Sequence, residues 1–483
     1  MNADSTEIDY STEPTSLSAI EDSLRWPLLH GIVASALWLF VGSLLALVAS
    51  LQVHSPGLFA DGSVLTHGKT KAAAWNIVLY GFALQMAITV SLYLICRLSQ
   101  KGMRHAFTVF VGSKLWNLGV LLGVIGIFSG DATGHEFFGM PVYATGVLFL
   151  GFAVMAIKGL MTLHCRANRE MYISQVHLGA GAIWFLWAIS TAIVVLQLRP
   201  TVGAVQLVVN QWYVANVFQI VLGGAGLAAA YYYLPQLAGR PLHSKELAIT
   251  SFWMLVFIGS WAGISGQFPL PAWVSGVSSV AGFMLVVPVG IILNNLWKTI
   301  SPNLGDVWSN TGGRAIIRGV VCYAVWIMGI VLMGAPAVSS LLQFTHFDTA
   351  MNFLFLFGFV GLTMLGATTH ILPRIANAPE NCDKFRMVLR VYGAGVVITV
   401  ASLILAGFQQ GMGLYEPAFL ASVTAASFML KLGSVGALVL VIGSFMFLMG
   451  VIMLTFDYLK TEFPVEDWIS DDEAATAEVE AGN

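Results

Sequence analysis

Twelve stretches of the chain, at about 28–51, 73–98, 106–128, 143–163, 176–198, 212–234, 247–265, 273–297, 317–338, 349–372, 387–408 and 429–454, are dominated by apolar residues. Polar positions gather in the segments between them. A bilayer core about 30 Å thick takes about 20 helical residues to cross, and each run is near or above that length. The pattern predicts an all-α polytopic membrane protein of twelve transmembrane helices. It forms one membrane domain over 28–454, between acidic tails at 1–27 and 455–483. No repeat of 20–50 residues stands out. The N-terminal segment lacks the positive n-region and short apolar core of a cleavable signal.

Composition agrees: 57% of the 483 residues are hydrophobic and 10% are charged, against roughly 25% charged in soluble proteins. With 22 Lys and Arg against 25 Asp and Glu there is no basic surplus, which excludes a nucleic-acid partner. The placement of cations sets the orientation. Alternate connections hold fourteen of them: Arg97, Lys101, Arg104, Arg166, Arg169, Arg240, Lys245, Lys298, Arg314, Arg318, Arg374, Lys384, Arg386 and Arg390. The opposite connections hold only Lys69, Lys71 and Arg199. Both termini are therefore expected in the cytoplasm. From Glu462 onward the chain has eight carboxylates and no cation. It reads as a solvated tail, with a docking strip for a basic partner as the alternative.

Ionisable groups inside a bilayer are costly and by default functional. Here the carboxylates stay out of it: Asp348 sits at the lip of the tenth run and Asp457 follows the twelfth. Lys158 and Lys431 lie where they can snorkel. Lys114, some nine residues into the third run, is the cation of most interest, and it too is expected to reach the headgroups. The ten histidines lie in loops or at the ends of runs, and none are paired at i, i+4 or HxH spacing. Cys96, Cys165, Cys322 and Cys382 have no metal-binding spacing and read as small membrane residues. The carboxylates and imidazoles that a proton pump places at mid-membrane depth are missing.

Several polar and turn segments are idiosyncratic. They include Gly130-Asp131-Ala132-Thr133-Gly134-His135-Glu136 leading to Met140-Pro141, Arg169-Glu170-Met171-Tyr172 before the fifth run, and Gln211-Trp212-Tyr213 opening the sixth. Tyr231-Tyr232-Tyr233-Leu234-Pro235 closes the sixth run, Trp261-Ala262-Gly263 closes the seventh and is followed by Pro269-Leu270-Pro271-Ala272-Trp273, and Leu372-Pro373-Arg374 closes the tenth. In this order and spacing they resemble subunit I of the haem–copper oxygen reductases, in particular the cbb3-type cytochrome c oxidase branch, over roughly residues 25 to 460. The resemblance implies twelve helices around two haems and one copper.

The departures fall on the ligands. The family's low-spin haem histidine on the second helix corresponds to Ala74, and the copper histidine of the sixth to Ala215. The active-site tyrosine of the seventh corresponds to Gly259 and the following histidine pair to Ser265-Gly266. The His-x-His of the tenth, one imidazole for each haem, corresponds to Met351-Asn352-Phe353. No histidine lies within four positions of any of these sites. Methyls and backbone carbonyls do not hold copper, so the expectation is no catalytic, cofactor-binding or metal-binding residue and no cofactor. Phe353, Phe355, Phe357 and Phe359, with Trp253 and Trp261, are expected to fill the vacated space, some of the phenylalanines facing it and some facing lipid or neighbouring helices.

Three functions remain in play. The leading one is a cofactor-free, cytochrome c oxidase subunit I-like structural or interaction subunit of a respiratory complex in a bacterial inner membrane. Its partners would be lipid and other membrane subunits, such as a haem-bearing oxidase subunit or a membrane-anchored cytochrome c. The second is an active oxygen or nitric oxide reductase with unrecognised ligands. The third is a channel or carrier using the vacated cavity, for which Asn76, Asn216, Asn294, Asn295, Asn352 and Gln267 are the polar candidates, each also readable as helix–helix glue. Lipid or quinone in the cavity is left open.

Overall fold

The computed structural model describes residues 15–59, 62–264, 270–378, 384–414 and 419–462. Among them there is no β-strand. The long helices are α1 (Leu17–His54), α2 (His67–Ser99), α3 (Ala106–Ser129), α4 (Val142–His164), α5 (Ile173–Leu198) and α6 (Ala204–Leu237). They continue with α7 (Lys245–Gly259), α8 (Ala272–Ser309), α9 (Thr311–Gly334), α10 (His346–Ile375), α11 (Lys384–Gly413) and α12 (Phe419–Glu462).

Among the described residues, eleven of these helices are long and apolar enough to cross a membrane. The exception is α7, which stops after 15 residues at Gly259. Ser265–Pro269, which the seventh run reaches, lie outside the described residues, as do residues 1–14, Cys382 and the acidic segment after Glu462. Two ends differ from the sequence expectation. A serine cap, Ser16 Oγ accepting from the Ala19 amide at 3.3 Å, starts α1 at Leu17, well before residue 28. At the other end α12 continues to Glu462.

Three helices form the centre. In the most apolar 18-residue windows of α2, α6 and α10, 89%, 89% and 94% of residues are buried, against 39–56% in the other eight. The outer helices give lipid the rest of their surface, as Phe107, Trp187, Phe257, Trp273 and Met453 show. Each central helix also leaves α geometry: residues 77–84 of α2, 217–222 of α6 and 354–361 of α10 are π-helical. Such segments are rare and frequently mark functional positions.

Small residues set the close helix contacts, as expected where lipid supplies no hydrophobic drive between helices. A Cβ at Gly395 of α11 would lie 2.5 Å from the Leu440 backbone nitrogen of α12, and one at Gly436 would lie 2.5 Å from that of Thr399. Lys114 lies on the outer surface of α3, its ammonium 5.0 Å from the Phe110 ring one turn nearer the helix start.

Candidate functional site: two cavities beside the tenth helix

The loop between α3 and α4 is tied down onto α2. Asn76 Oδ1 accepts from the Gly139 amide at 3.2 Å while its Nδ2 donates to the Ala72 carbonyl at 2.8 Å. Tyr80 donates to the Phe137 carbonyl at 3.1 Å, and Tyr213 of α6 lies 2.8 Å from the Tyr80 hydroxyl. Thr133 Oγ1 donates to the Phe138 carbonyl at 2.7 Å. These bonds hold Phe137 in the left-handed region, at φ 56°, a conformation uncommon for a non-glycine residue. Its ring is thereby wedged inward between Trp75, at 5.3 Å, and Phe218, at 5.2 Å.

Two cavities flank α10 at this level. The larger, about 190 Å³, lies against α6, α8 and α9 and is lined by Ala215, Phe218, Gln219, Trp326, Met351 and Asn352, with Glu136 of the α3–α4 loop and Asp348 of the first turn of α10. The smaller, about 100 Å³, lies against α1, α2, α11 and α12 and is lined by Ala74, Trp75 and Phe353, with His67, Lys71 and His346. The positions quoted from the sequence thus sort into two groups. Ala215 and Met351 share the larger cavity, and Ala74 and Phe353 share the smaller. Gly259 lies beside the larger one: a Cβ there would be 3.7 Å from Gln219 Cβ. Ser265-Gly266 lie outside the described residues.

Between the cavities the space is filled by rings. Phe218 stacks on Phe355 with centroids 4.7 Å apart and planes at 9°, and Trp326 lies 4.2 Å from Phe355. Phe353 stacks on Phe357 at 4.5 Å and meets Trp75 at 5.7 Å. Phe355, Phe357 and Phe359 are fully buried and Phe353 is 6% exposed. Of the two alternatives left for those not facing the centre, lipid or neighbouring helices, the structure shows neighbours, because α10 is surrounded by protein. The tryptophans fail as fillers. Trp253 and Trp261 are 52% and 47% exposed and point away from the centre.

Most of the asparagines are structural. Asn216 Oδ1 accepts from Trp184 Nε1 at 2.9 Å, and its Nδ2 donates to the Trp212 and Ser260 carbonyls. Asn295 brackets Ser244, accepting from its amide at 3.0 Å and donating to its carbonyl at 2.8 Å. Asn294 is exposed, Gln267 lies outside the described residues, and of the five described only Asn352 lines one of these two cavities.

Sequence reasoning passed over Glu136 and Gln219. Glu136 is exposed where it borders the cavity. Partial desolvation there pushes its pKa above the usual carboxylate range, with Lys71 opposing and Asp348 adding to the rise. Gln219 is 3% exposed, and neither amide atom has a hydrogen-bond partner. The Gln211, Ala215, Gln219 spacing on α6 was the available signal, since residues four apart share a helix face.

The donor set does not fit the family's metals. The four described ligand positions present two methyls, a thioether and a phenyl ring. Among the described residues no group of three His, Cys, Asp or Glu is placed to hold a metal ion. His67 and His346 do line the smaller cavity, but each lies seven residues, about 10 Å along its helix, before Ala74 and Phe353.

A helical membrane bundle with three buried helices enclosing a paired central site is the architecture of an oxidase core subunit. Residues 27–439 match the family described as Cytochrome C and Quinol oxidase polypeptide I, and the chain belongs to it. It is 23% identical over 461 residues to a cytochrome c oxidase subunit 1 homolog of Azorhizobium caulinodans, covering 88% of this chain and 81% of the relative. It is 22% identical over 454 residues to the cbb3-type cytochrome c oxidase subunit CcoN1 of Stutzerimonas stutzeri, covering 89% and 93%. Among solved structures, a heme-copper terminal oxidase dimer superposes with a TM-score of 0.73 at 12% identity, over 89% of this chain and 84% of that one.

Proposed function

We propose that this chain is a twelve-span subunit I homologue that carries no haem or copper and acts as a structural or interaction subunit of a respiratory complex in a bacterial inner membrane. Both termini lie in the cytoplasm, with α7 supplying the remaining span. The reading is carried by one observation: the paired ligand positions Ala74 with Phe353 and Ala215 with Met351 line two small cavities separated by stacked rings. At about 190 and 100 Å³, both lie below the roughly 300–1,000 Å³ of pockets that hold drug-sized ligands. Retained scaffold contacts support it as well, since Asn76, Asn216 and Asn295 all brace backbone. Partner subunits are a haem-bearing oxidase subunit or a membrane-anchored cytochrome c, held through the lipid-facing outer helices.

The test is a reduced-minus-oxidised optical spectrum of the purified full chain, expected to be featureless. Stoichiometric b-type haem bands would refute the proposal. In that event loss of the bands in His67→Ala or His346→Ala would identify the unrecognised ligands. Co-purification of a second subunit I bearing the ligand histidines is expected, and its absence under mild solubilisation would count against an interaction role.

A further inference from the structure

Four arginines gather where α9 and α11 begin. Arg314 and Arg318 stand one turn apart on α9, and Arg386 and Arg390 one turn apart on α11. Both helices pack on α10: a Cβ at Gly319 of α9 would lie 2.5 Å from Thr363 Cγ2, and Tyr392 of α11 donates to the Phe357 carbonyl at 3.0 Å. Arg314 is close enough to the other three for their charges to act on it, and no described carboxylate does so. Elsewhere at this end of the bundle cations find acidic partners, Arg25 with Asp22 at 2.7 Å and Lys245 with Glu170 at 3.4 Å. Among the described residues no ion pair joins Arg314, Arg318 or Arg390 to a carboxylate. Two of the four are also held in place around Trp308, near the end of α8. Arg314 Nε donates to the Trp308 carbonyl at 3.0 Å and Nη2 to the Ser309 carbonyl at 3.3 Å. The Arg314 and Arg318 guanidiniums lie 6.0 and 5.7 Å from the centre of the exposed Trp308 ring. Like charges held this close repel one another, and an anion between them relieves the repulsion.

The faces that carry the arginines continue as apolar stripes. Val321, Val325 and Met328 follow Arg314 and Arg318 on α9, and Val397 and Phe408 follow Arg386 and Arg390 on α11, on the same face by helical spacing. All five are exposed. A ligand that suits both halves has an anionic head and apolar tails. We propose that this corner binds the phosphodiester headgroup of an anionic phospholipid, with its acyl chains along the two stripes. Guanidinium forks match phosphate oxygens, and basic pockets between membrane helices hold acidic lipid heads. A choline or ethanolamine cation beside the phosphate would meet the same positive field, which disfavours a zwitterionic lipid. The arginines occupy the first two turns of their helices, at the depth of headgroups. Only the choice of leaflet, the cytoplasmic one, rests on the orientation proposed above.

Native mass spectrometry of the full chain in detergent, titrated with dioleoyl phosphatidylglycerol and with dioleoyl phosphatidylcholine, tests the site. Phosphatidylglycerol is expected to bind more tightly. Arg318→Gln and Arg390→Gln are each expected to weaken it about tenfold, the size of one charge-assisted hydrogen bond, and to leave phosphatidylcholine unchanged. Arg169→Gln removes an exposed cation from the α4–α5 loop and, as the control, is expected to change neither. Soluble dihexanoyl phosphatidylglycerol is expected to bind more weakly than the dioleoyl lipid, and inorganic phosphate more weakly still, which separates a lipid from a free phosphate. If one arginine variant is not monodisperse, the other carries the test. Equal affinity for the two dioleoyl lipids, unchanged phosphatidylglycerol affinity in the arginine variants, an equal loss in Arg169→Gln, or phosphate bound as tightly as the lipid overturns the inference. So does lipid binding that appears only after removal of residues 463–483, since the acidic tail would then be the occupant. A mass increment for haem overturns the proposed function instead, so the two failures are distinguishable.

Discussion

Replacing Phe355 by Ala tests whether the rings of α10 hold the centre together. The side chain is fully buried, stacked on Phe218 at 4.7 Å and packed against Trp326 at 4.2 Å. Truncation removes roughly 100 Å³ of ring, and at about 24 cal/mol per Å³ the unfilled space costs about 2.4 kcal/mol. Loss of the two aromatic contacts to other helices adds about 1–3 kcal/mol. Transfer of apolar area contributes little, because in the unfolded state the ring would face lipid instead of water. The sum is about 3–5 kcal/mol, read as a lowered midpoint in reversible unfolding of the detergent-solubilised protein by sodium dodecyl sulfate. Trp253→Ala is the matched control. Its ring is larger but 52% exposed, and the expected loss is below about 1 kcal/mol. Equal midpoint shifts for the two variants would refute the claim that buried rings, and not lipid-facing ones, fill the centre.

Gly436→Val should force α11 and α12 apart, because a Cβ there already lies 2.5 Å from the Thr399 nitrogen. Overpacking of this kind costs about 1–3 kcal/mol, and the same unfolding assay reads it. Asn216→Ala strands the Trp184 indole N–H and removes two bonds to carbonyls. A loss of about 1–2 kcal/mol in the same unfolding assay is expected, and an unchanged midpoint would refute the structural reading. Glu136 has a folded-state pKa above its ordinary 4.5, so the folded state binds the proton more tightly and stability falls as pH rises from about 4.5 through the raised value. Midpoints measured from pH 4 to 8 should show this decline in the parent protein and a flatter profile in Glu136→Gln. Parallel profiles would show that Glu136 is not desolvated.

Helix positions and class were legible in the sequence because hydrophobic length has a direct physical reading, and the motif resemblance located Ala74, Ala215, Met351 and Phe353 before any coordinates. Which helices lie inside was not legible. Lipid tails are as apolar as leucine, so α9 and α10 carry similar runs although one faces lipid and the other is enclosed. That blindness produced the wrong assignment of Trp253 and Trp261 to the interior and left open whether the α10 phenylalanines met lipid or neighbouring helices. The π-helical turns were equally silent, since no residue pattern announces them. Glu136 escaped notice because a loop carboxylate looks solvated until Asn76 and Tyr80 are seen to fasten its loop over the cavity.

The three enclosed helices are the second, sixth and tenth in the chain, and that spacing constrains how the protein is made. Helix α2 enters the membrane early, with Asn76, Gln85 and Thr89 on its surface, yet α10, which packs against it through the Trp75 and Phe353 rings, is synthesised more than 250 residues later. Until then α2 and α6 sit in the bilayer with polar and tightly shaped faces uncovered. A chain that stops before residue 375 lacks the helix against which α2 and α6 are buried, and such a truncation is expected to accumulate less than the full chain. Arrival of α10 closes the bundle in one late step, so a nonsense or frameshift lesion anywhere ahead of it removes the whole protein and not merely its C-terminal part.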